Sequence, residues 1–285
     1  TIDGQTFTAD SVTEKLQYEV EYGFRNRGIA ATDRKDILEP FMREILKKAA
    51  GSIFTKAPAL MALGERMIKE KQLLAYSTKT ETQKLLDDAG ITGRVASTDG
   101  DYLLWVDANL GALKTDHAIE RSLNYKIEDE GRVVATALMT YRHTGKFDWR
   151  TTRYLTYARV YVREGAELLS AVDDGKVIDA KKIDQGEELG KKWFGTFISV
   201  EPRQEKKIEF VYKLADSISK SISDELYTLS VQKQPGTIAH GLTIDLDFGK
   251  TITAAEPAEE KEGWGNSSYE VTTNLREDRG FQVKF

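Results

Sequence analysis

The spacing of hydrophobic residues changes near Val95, from the helical period of 3.6 residues to the period of two that is typical of strands. Before that point apolar residues recur on one helical face, as at Ile37, Phe41 and Ile45. After it, short alternating runs are separated by glycine, proline and aspartate. At 285 residues the chain is long enough for two packed regions. We therefore predict an α+β fold in which a helical layer precedes a strand-rich region.

Residues 1–95 are predicted to form a helix-rich α/β region that is incomplete at its amino terminus. Asp3-Gly4 is suited to a tight hairpin turn, and Leu73 to Tyr76 to a short buried strand. A second helix should end at Gly51, and a third should begin at Pro58. The four predicted helices cover about 10–22, 37–51, 58–67 and 79–88.

Residues 96–285 are predicted to form an antiparallel, β-sandwich-like domain, because short strands at this spacing are typical of sandwiches. The acidic segment 254–265 has few aliphatic residues and is predicted to be a loop. The predicted strands cover 102–106, 123–127, 133–139, 153–163, 193–200, 206–214, 226–233, 240–247, 269–273 and 281–285.

Composition excludes several classes of function. The net charge of −5 argues against nucleic acid as the main partner, since phosphate-binding domains usually carry a basic excess. The absence of cysteine excludes disulfides, thiolate nucleophiles and zinc–thiolate sites. No apolar run approaches the roughly 20 residues needed to cross a bilayer, and no signal peptide is visible. Because Thr1 is not a methionine, we expect a membrane anchor, if there is one, to lie upstream.

The densest polar cluster follows the first predicted strand of the second region. Asp107, Asn109 and Asp116 carry hard oxygen donors that suit Mg²⁺ or Ca²⁺, and Lys114 offers a contact to phosphate. The spacing is not that of an EF-hand, and aspartate or asparagine after a strand commonly satisfies a turn backbone. Both the ligand site and the structural turn remain open, and no metal or other cofactor is assigned.

A basic loop precedes the second predicted helix. Arg25, Arg27, Arg34 and Lys35 lie close in sequence, and arginines beside a helix amino terminus can bind phosphate or pyrophosphate. The alternative is a solvated loop whose arginines form salt bridges with Glu19 and Glu21.

The predicted strand 153–163 has a clear period of two. One face carries arginine and tyrosine in alternation, which suits acidic glycans or teichoic-type polymers through stacking and cation–π contacts. The alternative is an outward sheet face that is stabilised by cross-strand pairs. The residues of the glycan-binding hypothesis are Arg153, Tyr157, Arg159, Tyr161 and Arg163.

Nucleophilic catalysis has little support in the sequence. The three histidines, His117, His143 and His240, do not have helical metal-binding spacing, and there is no Gly-x-Ser-x-Gly elbow. Neither a Walker loop nor a Gly-x-Gly-x-x-Gly motif is present. We therefore predict no catalytic residue, and we expect a protein that is not an enzyme.

Two segments stand out by their motifs. One is Gln232-Lys233-Gln234-Pro235-Gly236-Thr237, and the other runs from Asp107-Ala108-Asn109 to Lys114-Thr115-Asp116. With segments 74–77, 90–95, 153–165 and 190–195, in this order and spacing, they resemble the bacterial family called domain of unknown function 4012. The resemblance covers about 2–246.

The resemblance implies a location but no activity. Members are large bacterial proteins with an amino-terminal membrane segment and with this domain outside the cytoplasm. The chain would be the carboxy-terminal portion of such a protein, without its anchor. The family has no accepted catalytic residues, so none is carried over.

Residues 1–50 are also similar to the end of a LytR-CpsA-Psr phosphotransferase domain, through their Arg-x-Arg loop and Asp33-Arg34-Lys35. Those enzymes transfer glycopolymers from a polyprenyl pyrophosphate carrier to the cell wall. This likeness implies that Arg25, Arg27 and Arg34 face pyrophosphate, with the rest of the site upstream.

Three hypotheses follow. The first is a structural, adhesive or binding module at the bacterial cell surface, with a cell-wall polymer or another envelope protein as partner. The second is an envelope enzyme, or its remnant, that handles phosphorylated glycopolymers. The third is a subunit that assembles through exposed sheet edges.

Overall fold

The computed structural model describes residues 2, 4–111, 113–129, 131–260 and 263–285. The chain divides into two compact units, Thr1–Glu65 and Arg66–Phe285. The change of hydrophobic period near Val95 lies inside the second unit. The helices that precede this change in the sequence therefore fall partly in the first unit and partly in the second.

The first unit is helical. It contains α1 (Val12–Tyr18), a π-helical turn (Glu19–Gly23) and α2 (Phe24–Asn26), which together extend the helix predicted to end near Tyr22. Ile2 bridges to Gln5, although Asp3 of the predicted turn lies outside the described residues.

The long helix α3 (Leu38–Lys69) begins in this unit and replaces two predicted helices. The predicted end at Gly51 is wrong, because the helix continues through that glycine. Its dihedral angles become non-helical at Lys56, two residues before Pro58. Proline lacks an N–H and crowds the preceding turn, so it interrupts a helix that glycine only weakens.

The apolar stripe of α3 is largely exposed. The structure buries none of the helix residues, and Phe54 is 96% exposed. Phe41 makes an edge contact with the Phe7 ring, with 5.3 Å between ring centroids. Helical spacing thus located the helix. The burial that such an apolar stripe normally indicates is not found in the structure.

The described part of the second unit contains two further α-helices beyond the end of α3. The helix predicted over 79–88 is confirmed as α4 (Thr80–Asp88), and the chain turns at Gly90 with φ of +69°. α5 (Asp216–Ser223) was not predicted, although it buries Ile218 and Ile222. The strand predicted at Leu73 to Tyr76 is wrong. In that segment Leu73 N donates to Met67 O and Ala75 N donates to Ile91 O, and the segment joins no sheet.

Among the described residues, fourteen strands form two sheets of seven. The first sheet contains β1 (Asp101–Asn109), β4 (Tyr154–Arg163), β7 (Asp184–Glu188), β8 (Lys191–Val200), β10 (Leu226–Gln232), β12 (Ala254–Glu256) and β14 (Arg279–Lys284). The second contains β2 (Ile119–Asp129), β3 (Val133–His143), β5 (Glu167–Asp173), β6 (Lys176–Val177), β9 (Glu205–Lys213), β11 (His240–Asp247) and β13 (Ser268–Leu275). Their orders are β12-β14-β10-β1-β4-β8-β7 and β13-β11-β2-β3-β9-β5-β6.

The sheets are mixed, so the prediction of a purely antiparallel domain is wrong. β1 pairs in parallel with β10, and β2 pairs in parallel with β11, while their other neighbours are antiparallel. An alternating hydrophobic pattern is the same in both orientations, because side chains alternate along any strand. The segment 254–265 also differs from the predicted loop, since it begins with β12; its residues 261 and 262 lie outside the described residues.

One hydrophobic core lies between the two sheets. The rings of Trp105 on β1 and Phe210 on β9 are 5.7 Å apart, and Trp105 Nε1 donates to the Tyr141 hydroxyl at 2.7 Å. Each such buried side chain contributes about 1.5–3 kcal/mol of hydrophobic stabilisation. A face-to-face packing of this kind holds the strand ends, and the outer sheet faces, in fixed positions.

Candidate functional site

The loop that follows β1 is held at one end of the sandwich by Arg121 of β2. Arg121 Nε donates to Asp107 Oδ2 at 2.9 Å, and its Nη2 donates to Asp116 Oδ1 at 3.0 Å. Asn109 Nδ2 donates to the other Asp116 oxygen at 2.8 Å. Three members of the predicted polar cluster therefore lie together. The fourth, Lys114, is exposed, and its backbone N–H donates to Arg150 O.

The guanidinium of Arg121 lies between the carboxylates of Asp107 and Asp116, where the ligand-site alternative would place a metal cation. It supplies the positive charge that Mg²⁺ or Ca²⁺ would supply to these oxygens. A metal ion bound by both carboxylates would have to displace Arg121. Among the residues that the structure describes, no group of three or more histidines and carboxylates is placed to hold a metal ion.

The carboxylate of Asp107 is buried and accepts several hydrogen bonds. Its Oδ1 accepts from the hydroxyls of Tyr141 at 2.6 Å and Thr156 at 3.3 Å. Burial raises the pKa of the Asp107 carboxyl, and the nearby Arg121 opposes that shift. Buried pairs of this kind are stable only when every polar atom has a partner. The arrangement is that of a structural lock at the end of β1.

The Gln-Lys-Gln-Pro-Gly-Thr motif completes this lock from the other side of β1. Asp107 N donates to Gln234 Oε1, and Gln234 Nε2 donates to Asp107 O, both at 2.9 Å. The amide thereby continues the parallel pairing of β1 with β10 past its last backbone bond. Lys233 Nζ donates to three oxygens, Gln234 O and the carbonyl and hydroxyl of Thr237. Each of these hydrogen bonds joins two groups of the protein itself. The motif therefore holds the chain after β10 in place beside β1.

The histidines also have structural surroundings. His143 Nε2 lies 2.8 Å from Thr152 O, and its Nδ1 accepts from Gly145 N. His240 is buried, and its ring nitrogens have no hydrogen-bond partner among the described residues. Burial, followed by the charges of Arg121 and Lys233, lowers the pKa of His240 to about 3. Its imidazole is therefore neutral at physiological pH.

The outer face of the first sheet carries a group of aromatic side chains beside one arginine. β4 pairs with β8 so that Tyr157 lies opposite Phe197 and Tyr161 opposite Trp193. The rings of Tyr157 and Phe197 are 4.8 Å apart, and Phe197 is 62% exposed. Arg159 lies 4.1 Å above the centre of the Trp193 ring. We call Tyr157, Arg159, Trp193 and Phe197 the aromatic platform.

Two glycines let the platform rings lie against the sheet. A Cβ on Gly195 of β8 would stand 2.7 Å from the Tyr157 hydroxyl oxygen and 2.9 Å from its ring. A Cβ on Gly186 of β7 would stand 2.8 Å from the Trp193 ring. Both distances are too short for a side chain to coexist with the ring in place. The rings therefore cross neighbouring strands over backbone that lacks a Cβ.

Carboxylates of the edge strand β7 fix the polar atoms of this face. The Tyr157 hydroxyl donates to Asp184 Oδ2 at 2.8 Å, and Arg159 Nη1 donates to Glu188 Oε1 at 2.9 Å. The Tyr161 hydroxyl donates to the same Glu188 oxygen at 2.5 Å. Partial burial, followed by the bond to Asp184, raises the pKa of Tyr157. These bonds preorganise the platform before any ligand arrives.

We call the five residues of the glycan-binding hypothesis the arginine–tyrosine ladder. Its other three members, Arg153, Tyr161 and Arg163, lie at the two ends of the platform. Arg153 forms an ion pair with Glu201, and Arg163 Nη1 donates to Thr98 O. Tyr161 is buried with Tyr102 and Leu104 in a second small cluster, which Val95 helps to cover. The ladder therefore has its alternation, but only Tyr157 and Arg159 of its five residues belong to the platform. Trp193 and Phe197, which complete it, were not singled out from the sequence, because their pairing with β4 is a long-range contact.

The basic loop of the first unit is paired with acidic residues. Arg27 Nη2 is 2.8 Å from Glu19 Oε2, and Arg34 Nη1 is 3.2 Å from Glu21 Oε2. Arg25 lies 5.4 Å from the ring centre of Phe24, and Lys35 is exposed. These contacts match the salt-bridged alternative for this loop.

Comparisons with known proteins add little to this geometry. No family model matches the chain, and no curated protein matches its sequence. A proposed nutrient-binding protein of Legionella pneumophila has 6% identity and a TM-score of 0.39, over 65% of this chain and 71% of that one.

Two peptidase structures overlap this chain over a similar length. Aminopeptidase A of the same bacterium, in complex with aspartic acid, has 11% identity and a TM-score of 0.29, over 62% of this chain and 22% of that one. Yeast leukotriene A4 hydrolase in complex with bestatin has 8% identity and a TM-score of 0.33, over 60% and 30%. The chain thus spans less than a third of either peptidase. Likenesses this weak carry no argument about function.

Proposed function

We propose that this protein is a non-catalytic binding module of the bacterial cell envelope, and that its aromatic platform binds a surface polymer outside the cytoplasm. The single observation that carries the proposal is the pairing of β4 with β8, which sets Phe197 against Tyr157 and Arg159 on Trp193. Exposed aromatic groups held by fixed neighbours are typical of binding surfaces. The envelope location rests on the resemblance to the domain of unknown function 4012.

The rigidity of the platform supports this function. Three hydrogen bonds from Tyr157, Arg159 and Tyr161 to the β7 carboxylates hold these side chains in one arrangement. A side chain that is already ordered loses little conformational entropy on binding. Among the described residues, no helix is both long enough and apolar enough to span a bilayer.

A phosphotransferase, or its remnant, is the alternative, but its residues have other contacts. Pyrophosphate would need Arg25, Arg27 and Arg34 with their charge available. Carboxylates already lie 2.8 Å from Arg27 and 3.2 Å from Arg34. The buried Asp107–Arg121 pair likewise has its donors and acceptors matched internally. The binding module is therefore the better supported function.

Cosedimentation with purified bacterial cell walls tests the proposal. We expect the wild-type protein to sediment with the walls, and we expect Phe197→Ala to reduce the bound fraction at limiting wall concentration about fivefold. Phe147→Ala is the matched control, because Phe147 is 65% exposed and lies outside the platform. Equal binding by wild type and Phe197→Ala, or no binding by the wild type, would reject the platform as the binding site.

A further inference from the structure

Resting on the proposed function, we infer that the aromatic platform takes an uncharged polysaccharide, and that the β7 carboxylates receive the sugar hydroxyls. The sequence alone suggested an acidic polymer, because the ladder of β4 is rich in arginine. The contacts of those arginines, and the charges around the rings, favour a neutral ligand instead.

The arginines of the ladder already have partners. Arg159 donates to Glu188, Arg153 pairs with Glu201, and Arg163 donates to the Thr98 carbonyl. A polyanion would have to compete with an internal carboxylate for Arg153 and Arg159, and with a backbone carbonyl for Arg163. The arginines that make this strand basic in sequence are therefore already bonded to other groups in the folded protein.

The charge in contact with the rings is acidic on balance. Arg159 is in contact with the Trp193 ring, while Asp184 and Glu188 accept from the hydroxyls of Tyr157 and Tyr161. One cation thus stands beside two carboxylates. An anionic polymer laid across the platform would meet net repulsion, whereas a neutral polymer would not.

The shape and polarity of the platform fit a sugar ring. Phe197 is 62% exposed and lies 4.8 Å from the Tyr157 ring, so it presents an aromatic ring to solvent. The apolar face of a pyranose can stack on such a ring, in the way that other flat groups stack on aromatic side chains. The exposed carboxylates of Asp184 and Glu188 retain lone pairs beyond those used internally, and they can accept from the hydroxyls at the edge of the sugar.

Two pairs of soluble polymers test whether the ligand is charged. Within each pair the polysaccharide backbone is the same, and one member is neutral while the other carries carboxymethyl groups. The probes are hydroxyethyl cellulose against carboxymethyl cellulose, and dextran against carboxymethyl dextran, measured by affinity electrophoresis with the whole chain. We expect retardation by at least one uncharged member, weaker retardation by its carboxymethyl partner, and little change between 50 and 500 mM salt.

Variants connect that result to the platform. Phe197→Ala and Trp193→Ala should each weaken binding of the uncharged polymer about five- to tenfold, and Phe147→Ala should leave it within twofold. Glu188→Gln should release the charge of Arg159 and strengthen binding of the carboxymethyl partner severalfold, in a salt-sensitive manner.

The outcomes separate the ligand class from the function. Stronger, salt-sensitive binding of the carboxymethyl polymers, or binding of none of the four, overturns the uncharged ligand. If wild type still sediments with cell walls and Phe197→Ala does not, the proposed function stands without this inference. If neither walls nor polymers bind, both are wrong.

Discussion

At the scale of single residues, the buried charges are the most informative feature of this protein. Arg121 joins Asp107 in the interior to Asp116 at the surface, and Asp101 accepts hydrogen bonds from the hydroxyls of Tyr125 and Tyr227. Charges and carboxyl groups of this kind are costly to bury unless their partners are complete. Both clusters are therefore expected to determine stability.

Removal of Arg121 should strongly destabilise the second unit. Arg121→Leu leaves Asp107 buried without its cation, and we expect the free energy of unfolding to fall by about 3 kcal/mol or more. Arg142→Ala is the control, because its ion pair with Glu120 is exposed and should contribute about 0–1 kcal/mol. Urea denaturation measures both. A loss for Arg121→Leu no larger than that of the control would contradict the structural lock.

Asp101 should give stability a distinctive pH dependence. Burial raises its pKa in the folded state, against the opposing hydrogen bonds of Tyr125 and Tyr227. A carboxyl with a raised folded pKa contributes stability that is complete below the unfolded pKa of about 4. That contribution is lost as pH rises through the folded pKa, at up to about 1.4 kcal/mol per pH unit.

Asp101→Asn should remove that slope, as measured by denaturation from pH 4 upward. Asp148→Asn is a useful contrast, since backbone bonds from Arg150 and Thr151 lower the pKa of Asp148. Its contribution has the opposite sign, and it is lost as pH falls below about 4. An unchanged slope in Asp101→Asn would show that another group titrates in that range.

At the scale of elements, the platform exists because aromatic residues on one strand lie over glycines on the next strand of the sheet. Tyr157 of β4 passes over Gly195 of β8 to reach Asp184 of β7, which is paired with that glycine. Trp193 of β8 lies against Gly186 of β7 in the same way. A glycine in a strand usually weakens it, but here each lies under an aromatic ring.

Gly195→Ala should therefore disturb binding more than folding. The new methyl would push the Tyr157 ring away from the sheet, so we expect severalfold weaker cell-wall binding. Alanine also costs less backbone entropy than glycine, so the change in melting temperature should stay within a few degrees. Gly280→Ala on β14 is the matched control, because nothing lies within 4 Å of its new Cβ. Unchanged binding in Gly195→Ala would mean that the position of the Tyr157 ring is unimportant.

At the scale of the whole molecule, the chain consists of two compact units with very different cores. The second unit, Arg66–Phe285, encloses the core between its two sheets, whereas the first, Thr1–Glu65, buries few large side chains. Both clusters of buried charge and the platform belong to the second unit. Stability and the proposed binding should therefore depend on that unit.

A chain shortened to residues 66–285 should fold and keep its binding. We expect one cooperative thermal transition for it, at a temperature within a few degrees of the main transition of the whole chain. Near- and far-ultraviolet circular dichroism would follow the transition, and cosedimentation would follow binding. A shortened chain that lacks fixed near-ultraviolet signals would show that residues 1–65 are required for folding.

Much of the local structure follows from the amino-acid sequence alone. The change of hydrophobic period separated helices from strands, and it located α4 and ten of the strands, because this spacing follows from the repeat of each element. Alternation along 153–163 likewise identified the outward side of β4. The sequence also picked out Asp107, Asn109 and Asp116, which the fold brings together.

The contacts of these residues depend on the tertiary fold. The partner of Asp107 is Arg121, the amide that continues its strand is Gln234, 127 residues away, and the rings beside Tyr157 come from β8. Hydrophobic spacing does not specify which strands become neighbours, or whether they run parallel. Those choices depend on long-range packing between the two sheets. They placed the guanidinium of Arg121 between the carboxylates of Asp107 and Asp116, and gave the arginines of the ladder their internal partners.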